Sequence, residues 1–257
     1  MKQESLPAIP SNWNWAELGD ILSGIDAGKS FKCEERPPKE TEVGIVKVSA
    51  VTWGTFDEDA SKTCLSAERI DPKLFIEPGD FLFSRANTIQ LVGACVIVHG
   101  ISRRLMLSDK ILRFRLHNVV PQWLLYVLRT SWGRAEIERL ATGNQESMRN
   151  IGQDRVRAIR IPLPPLAEQR RIIDKLEAHM AGLHAVESEL ARAQTRAARL
   201  RQAILKKAFE GKLVPQDPND EPASILLQRI RSTRAHAPRP AHGRTRQSHK
   251  PNSSSSL

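Results

Sequence analysis

The chain has 257 residues, 40% of them hydrophobic and 26% charged, which suits one large domain or one domain with an extended element. No early apolar run follows a basic start, and no stretch of about eighteen uninterrupted apolar residues occurs. Neither a signal peptide nor a membrane span is therefore expected, and the protein reads as cytoplasmic. The formal charge of +10 is unevenly spread: residues 1–84 carry nine basic and fifteen acidic side chains, and residues 85–160 carry thirteen and five. From Arg229 onward there are seven basic residues and no acidic one. The basic later half of the globular part is the candidate footprint on phosphate, unless folding mixes these charges over the surface.

In chain order, residues 13–120 are expected to be β-rich. The runs 44–56 (GIVKVSAVTWGTF), 80–86 (DFLFSRA), 92–99 (VGACVIVH) and 110–116 (KILRFRL) are rich in Val, Ile and Phe and bounded by turn formers. Residues 77–80 (EPGD) form a turn signal, with Pro directly before Gly. Residues 121–141 (PQWLLYVLRTSWGRAEIERLA) switch to helical spacing, with Pro121 suited to a first turn and Gly143 placed to close the segment. Residues 143–150 (GNQESMRN) read as a flexible polar loop, and 156–164 (VRAIRIPLP) as a last strand. Trp13, Trp15, Trp53, Trp123 and Trp132 are expected to fill the core.

From Leu166 the pattern changes. Leu176, Met180, Leu183, Val186, Leu190, Ala193, Ala197, Leu200, Ile204 and Ala208 recur at a mean spacing of about 3.6, the period of an amphipathic helix. Only Gly182 interrupts residues 166–210, and Gly211 is a natural cap. A helix of that length would reach roughly 65 Å and cannot bury its stripe against itself. Antiparallel pairing through Leu176, Met180, Leu183, Val186, Leu190, Leu200 and Ile204 is expected. The spacing thus predicts an α+β protein with four parts: a β-rich domain over 1–165, a long helix over 166–211, a connector and short helix over 212–232 with Ser224 as N-cap, and a disordered basic tail over 233–257.

Sites for chemistry are not evident. There is no GxGxxG after a strand, no GxxxxGK[ST], no GxSxG and no acidic cluster with nuclease spacing. Cys33, Cys64 and Cys95 are far apart, and the seven histidines form no HExxH, so no metal site and no cofactor are expected. With aromatic residues at 5%, a base-stacking platform for single strands is not expected either.

Residues 161–177 (IPLPPLAEQRRIIDKLE) together with 200–230 (LRQAILKKAFEGKLVPQDPNDEPASILLQRI) resemble the conserved region of specificity subunits of type I restriction-modification systems. Residues 9–21 (IPSNWNWAELGDI), 78–88 (PGDFLFSRANT), 107–116 (LSDKILRFRL) and 141–151 (ATGNQESMRNI) resemble framework motifs of the target-recognition domain in that family. The resemblance implies a non-catalytic subunit that binds one half of a split double-stranded DNA target. It also implies long helices that space two recognition domains and dock methyltransferase subunits, with a restriction and translocase subunit joining for cleavage. One departure matters: the family usually carries two recognition domains and two helical regions per chain, and this sequence shows one of each. It is therefore expected to pair, as a homodimer or with another half-specificity subunit, through residues 166–210. Two other readings stay open: an orphan half-subunit that changes the target of a host complex, and an antitoxin-like or scaffold protein with no DNA role.

Candidate DNA contacts in the basic half are Arg103, Arg104, Lys110, Arg113 and Arg115, then Arg149, Arg155, Arg157 and Arg160. By alternation, Arg113 and Arg115 share a face, read as the polar one. Arg85, Asn87, Thr88 and Gln90 follow a strand in a polar segment, although Arg85 also suits a framework role. Asn144, Gln145 and Arg149 carry the bidentate chemistry that purine contacts use. Pro162, Pro164 and Pro165 read as a rigid joint between the reading domain and the helix, with Glu168 favourably placed in its first turn.

Overall fold

The protein is described by a computed structural model covering residues 6–145 and 148–236. It divides into two compact units, the first running up to Ala185 and the second beginning at Val186. The first unit opens with ten strands: β1 (Asn14–Glu17), β2 (Leu22–Ala27), β3 (Cys33–Glu34), β4 (Val43–Val46), β5 (Ser61–Cys64), β6 (Phe81–Ser84), β7 (Ala86–Asn87), β8 (Cys95–Ile97), β9 (Arg104–Met106) and β10 (Ile111–Leu116). Helices α1 (Pro121–Arg129) and α2 (Ser131–Leu140), the strands β11 (Thr142–Gln145) and β12 (Met148–Asn150), helix α3 (Gln153–Arg157) and strand β13 (Arg160–Leu163) follow. Helix α4 (Leu166–Phe209) begins in the first unit and ends in the second, which also holds α5 (Ala223–His236). This is the α+β class that the sequence predicts.

The central sheet has the order β2-β10-β6-β8, all antiparallel. Strand β6 shows why it is central: Phe81 and Phe83 enter one apolar cluster with Leu124 and Leu128 of α1, while Leu82 enters another with Leu105, Leu107 and Ile111. Both faces are thus covered, and each fully buried side chain of this size contributes about 1.5–3 kcal/mol. A second sheet, β3-β5-β4-β9, stands beside it, and β11-β12-β7 form a third. The turn at 77–80 forms as expected: Gly79 takes φ 94°, and the Asp80 N–H donates to the Glu77 carbonyl at 3.1 Å.

Several expectations are corrected. The run 44–56 stays extended only over β4 and then turns through a short 3-10 segment at Val48–Ala50. Residues 121–141 form two helices, because Thr130 takes an extended conformation and its Oγ1 accepts the Gly133 N–H at 3.1 Å, capping α2. The α2 helix ends at Leu140, and Gly143 instead sits in β11 at φ 116°. The segment read as a flexible loop is largely strand, with Arg149 and Asn150 of β12 paired to Asn87 and Ala86 of β7. Residues 156–159 belong to α3 and the turn after it rather than to the last strand.

Of the five tryptophans, only Trp123 is buried, while Trp13 and Trp53 pack half-buried against the same apolar cluster. Trp13 meets Trp123 edge-on at 5.3 Å, and Trp15 lies against Trp132 at 5.0 Å. Ser224 lies inside α5 rather than ahead of it. The helix extends through His236 into the stretch expected to be disordered, and the rest of that tail lies outside the described residues.

Candidate nucleic-acid interface

Two adjoining grooves on the first unit share Val48 and Lys110. One, of about 400 Å³, is lined by Arg85, Asn87, Asp109, Met148 and Asn150 among others. It forms where β7, next along the chain from β6, pairs with β12, and Ala86, Asn87, Met148 and Asn150 of these two strands line it together with Asp109 and Lys110 from the loop after Leu107. The other, of about 380 Å³, is lined by Ser30, Phe31, Glu35, Lys47, Ser49 and Lys62. Lys62 points there because β5 alternates: Ser61 and Thr63 are buried, while Lys62 and Cys64 face outward. A larger groove of about 520 Å³ carries Lys29 and Arg69 against Glu68 and Asp71, so it offers no net charge to phosphate.

The cations of the two grooves differ in how far they are compensated. Lys62 and Lys47 both reach Glu35, the latter at 3.4 Å, and hydrogen bonding from Lys62 holds the Glu35 carboxyl below its ordinary range. Among the described residues, no ion pair involves Lys110 or Arg85. Arg85 Nε reaches Asn150 Oδ1 at 3.4 Å, and the Arg85 N–H donates to the Lys110 carbonyl at 2.9 Å. Asn87, which lines the groove, accepts the Thr88 N–H through its Oδ1 at 2.8 Å. Met148 stands 66% exposed on the rim.

Of the residues expected to touch DNA, the structure therefore brings together Arg85, Asn87 and Lys110, with Thr88 next in the chain. Arg113 is a correction. It is 3% exposed, and its guanidinium donates to Asp26, to Asp80 at 3.0 Å, and to the Lys73 and Phe75 carbonyls. Burial alone would lower its pKa, but the hydrogen bonds to Asp80 and Asp26 outweigh burial and raise it, so it stays charged inside the fold. The alternation that puts Arg113 and Arg115 on one face holds, since both reach Asp26. That face is covered at Arg113 and half-open only at Arg115, near the strand end.

Other candidates are placed away from the grooves. Arg103 ties Asp59 and the Pro38 carbonyl together, and Arg104 lies over the Phe75 ring at 5.2 Å. Arg149 folds back on its own hairpin, donating to the Gly143 carbonyl at 2.7 Å and the Ala141 carbonyl at 3.3 Å. Arg155 donates to the Leu140 carbonyl, and Arg160 grips the buried Glu136. The backbone of Asn144 and Gln145 belongs to β11, and their side chains lie outside the described residues. Lys47 and Lys62 lie in the net-acidic first third, where segment charge gives no sign of a phosphate contact. The alternation of residues 61–64 was the signal available for Lys62.

A domain of packed sheets with a basic two-part groove and a long exposed helix defines a class. The chain belongs to the family described as the type I restriction modification DNA specificity domain, which its residues 10–191 match. It is 30% identical over 220 residues to the type I restriction enzyme EcoEI specificity subunit of Escherichia coli, covering 81% of this chain and 37% of that protein. It is 27% identical over 228 residues to the EcoKI specificity subunit of E. coli strain K12, covering 84% of this chain and 48% of that protein. The chain thus spans less than half the length of either relative. The crystal structure of the HsdS subunit from Thermoanaerobacter tengcongensis shares the fold with a TM-score of 0.50 at 24% identity, covering 80% of this chain and 47% of that one. A chain from a structural study of the assembly and conformational transition of the type I R-M system shares it with a TM-score of 0.57 at 24% identity, covering 83% and 49%.

Proposed function

We propose that the chain is a DNA sequence-specificity subunit that reads one half of a bipartite double-stranded target and positions methyltransferase and restriction subunits without chemistry of its own. The observation that carries this reading is the two-part groove with Lys47, Lys62, Arg85 and Lys110, which lies wholly inside the region matched to the specificity-domain family. Lysine on phosphate fixes register, whereas Asn87 and Asn150 offer amide groups of the kind that read purine edges. Changing Lys110 to Ala is expected to weaken binding to all duplexes alike and to reduce the slope of log K against log salt by about 1. Equal loss on every sequence in a salt-series titration supports a phosphate contact. No loss on any sequence removes this groove as the interface.

The helix supports a second part of the reading. Met180, Leu183, Val186, Leu190, Leu200 and Ile204 are all exposed along α4, and Phe209 is 90% exposed. An apolar stripe of this length in water requires a partner helix. A second copy of the chain, related by a twofold axis, would present its own stripe and favour an inverted-repeat target with a spacer. Pairing with another half-specificity subunit satisfies the same surface.

A further inference from the structure

Gln169 is only 1% exposed, although glutamine is ordinarily a surface residue and a buried amide must find partners. Its Oε1 accepts the Val120 N–H at 2.9 Å, immediately ahead of α1, and its Nε2 donates to the Pro164 carbonyl at 2.9 Å, after β13. One side chain thus joins the first turn of α4 to two other elements. The preceding residue, Glu168, accepts from Asn12 Nδ2 at 2.7 Å and from Trp13 Nε1 at 3.2 Å. Trp13 in turn packs edge-on against Trp123, whose Nε1 donates to the Pro162 carbonyl at 3.1 Å. Ile173, one turn further along, is buried in the main apolar cluster.

We propose that Glu168 and Gln169, through Trp13 and the Val120 and Pro164 backbone, act as a latch that fixes the direction of the first turns of α4, and that this latch sets how strictly the spacer between two half-sites is measured. The proposal rests on the reading of the chain as one of two paired DNA readers. Apolar packing alone is non-directional and lets a helix roll on its seat. Hydrogen bonds on two sides of one turn remove that freedom. The portion of α4 in the first unit, residues 166–185, is about 30 Å long. A swing of about 6° at its root would move its end by about 3 Å, close to the 3.4 Å step of one base pair. Glu168 and Gln169 are therefore positioning residues, and neither lines the grooves assigned to DNA.

The test uses the full chain with methyltransferase subunits and a series of duplexes in which the two half-sites are separated by spacers differing by single base pairs. The unsubstituted chain is expected to prefer one spacer by about tenfold or more per base pair. Glu168→Ala should reduce that preference to about threefold or less, leaving discrimination against altered half-site bases unchanged. Asn12→Ala, at an exposed position, removes the 2.7 Å hydrogen bond to Glu168 without touching the ring packing, and should shift the preference in the same direction should Glu168→Ala fail to fold. An unchanged spacer preference in either folded variant overturns the latch. Loss of half-site discrimination together with spacer preference also overturns it, because that is the signature of general unfolding. An unsubstituted chain with no preferred spacer overturns the reading of the chain as one of two paired DNA readers, and the latch with it.

Discussion

Arg113 and Arg115 sit two residues apart on β10 and share Asp26, yet they answer to different environments. Removing the Arg113 side chain strands the nearly buried Asp80 and leaves Asp26 with Arg115 alone, and breaking a buried pair in this way costs about 3–5 kcal/mol. The Arg115→Ala change, at a half-exposed pair, should stay within about 1 kcal/mol. Urea unfolding of the two variants measures the contrast, and equal midpoints would refute it. Alternation in the sequence correctly puts both on one face. It could not show that a second apolar layer covers that face, because the covering residues Leu105 and Leu107 come from a different segment.

Glu136 offers a pH handle at the same scale. Burial pushes its carboxyl up, but hydrogen bonds from Arg160 and Arg139 outweigh burial and hold it at about 2. A carboxyl lowered in the folded state stabilises fully above its ordinary value near 4.5 and loses that contribution as the pH falls toward 2. The stability gap between the native chain and Glu136→Gln should therefore be constant at neutral pH and close between about pH 4.5 and 2, as thermal unfolding across that range would show. A gap that persists to pH 2 would mean that the two arginines do not hold the charge.

At the scale of elements, the legibility of the helices followed their surroundings. The long helix α4 runs through Gly182 as its apolar period predicts and ends at Phe209, two residues before the expected 211, because little tertiary packing competes with periodicity along it. The break between α1 and α2 was hidden, since apolar spacing continues across Thr130. The physical reason is close approach: a Cβ on Gly133 would stand 2.3 Å from the Val127 carbonyl oxygen, so the chain can turn sharply only with glycine there. Thr130→Ala removes the cap of α2 and should cost about 1 kcal/mol in thermal unfolding, whereas Thr130→Ser should cost much less. The hairpin of β11 and β12 was missed because its polar sequence hides a strand pairing that only β7 completes. Pro162, Pro164 and Pro165 mark the approach to α4 in the sequence, but the side chains that donate to Glu168 in its first turn come from residues 12 and 13, more than 150 positions away.

Across the whole molecule, charge told less than its placement. The net-basic segment contains Lys110 and Arg85 of the candidate groove, but it also contains Arg113, Arg134 and Arg160, which are committed to internal partners. The net-acidic segment supplies Lys47 and Lys62. The exposed α4 stripe sets a prediction at this scale. Leu190→Glu with Leu200→Glu should shift the solution mass from two copies to one while leaving the melting of the first unit in place. A mass unchanged by that pair of substitutions would mean that the stripe is not the pairing surface.

The account is tested most directly by selecting duplexes from a randomised pool with the full chain and methyltransferase subunits present. The account predicts enrichment of one short sequence repeated in inverted orientation across a spacer of fixed length, and loss of that enrichment when Leu190 and Leu200 carry charge. Retention of DNA with no sequence enriched, or enrichment of a single uninterrupted site, would contradict it.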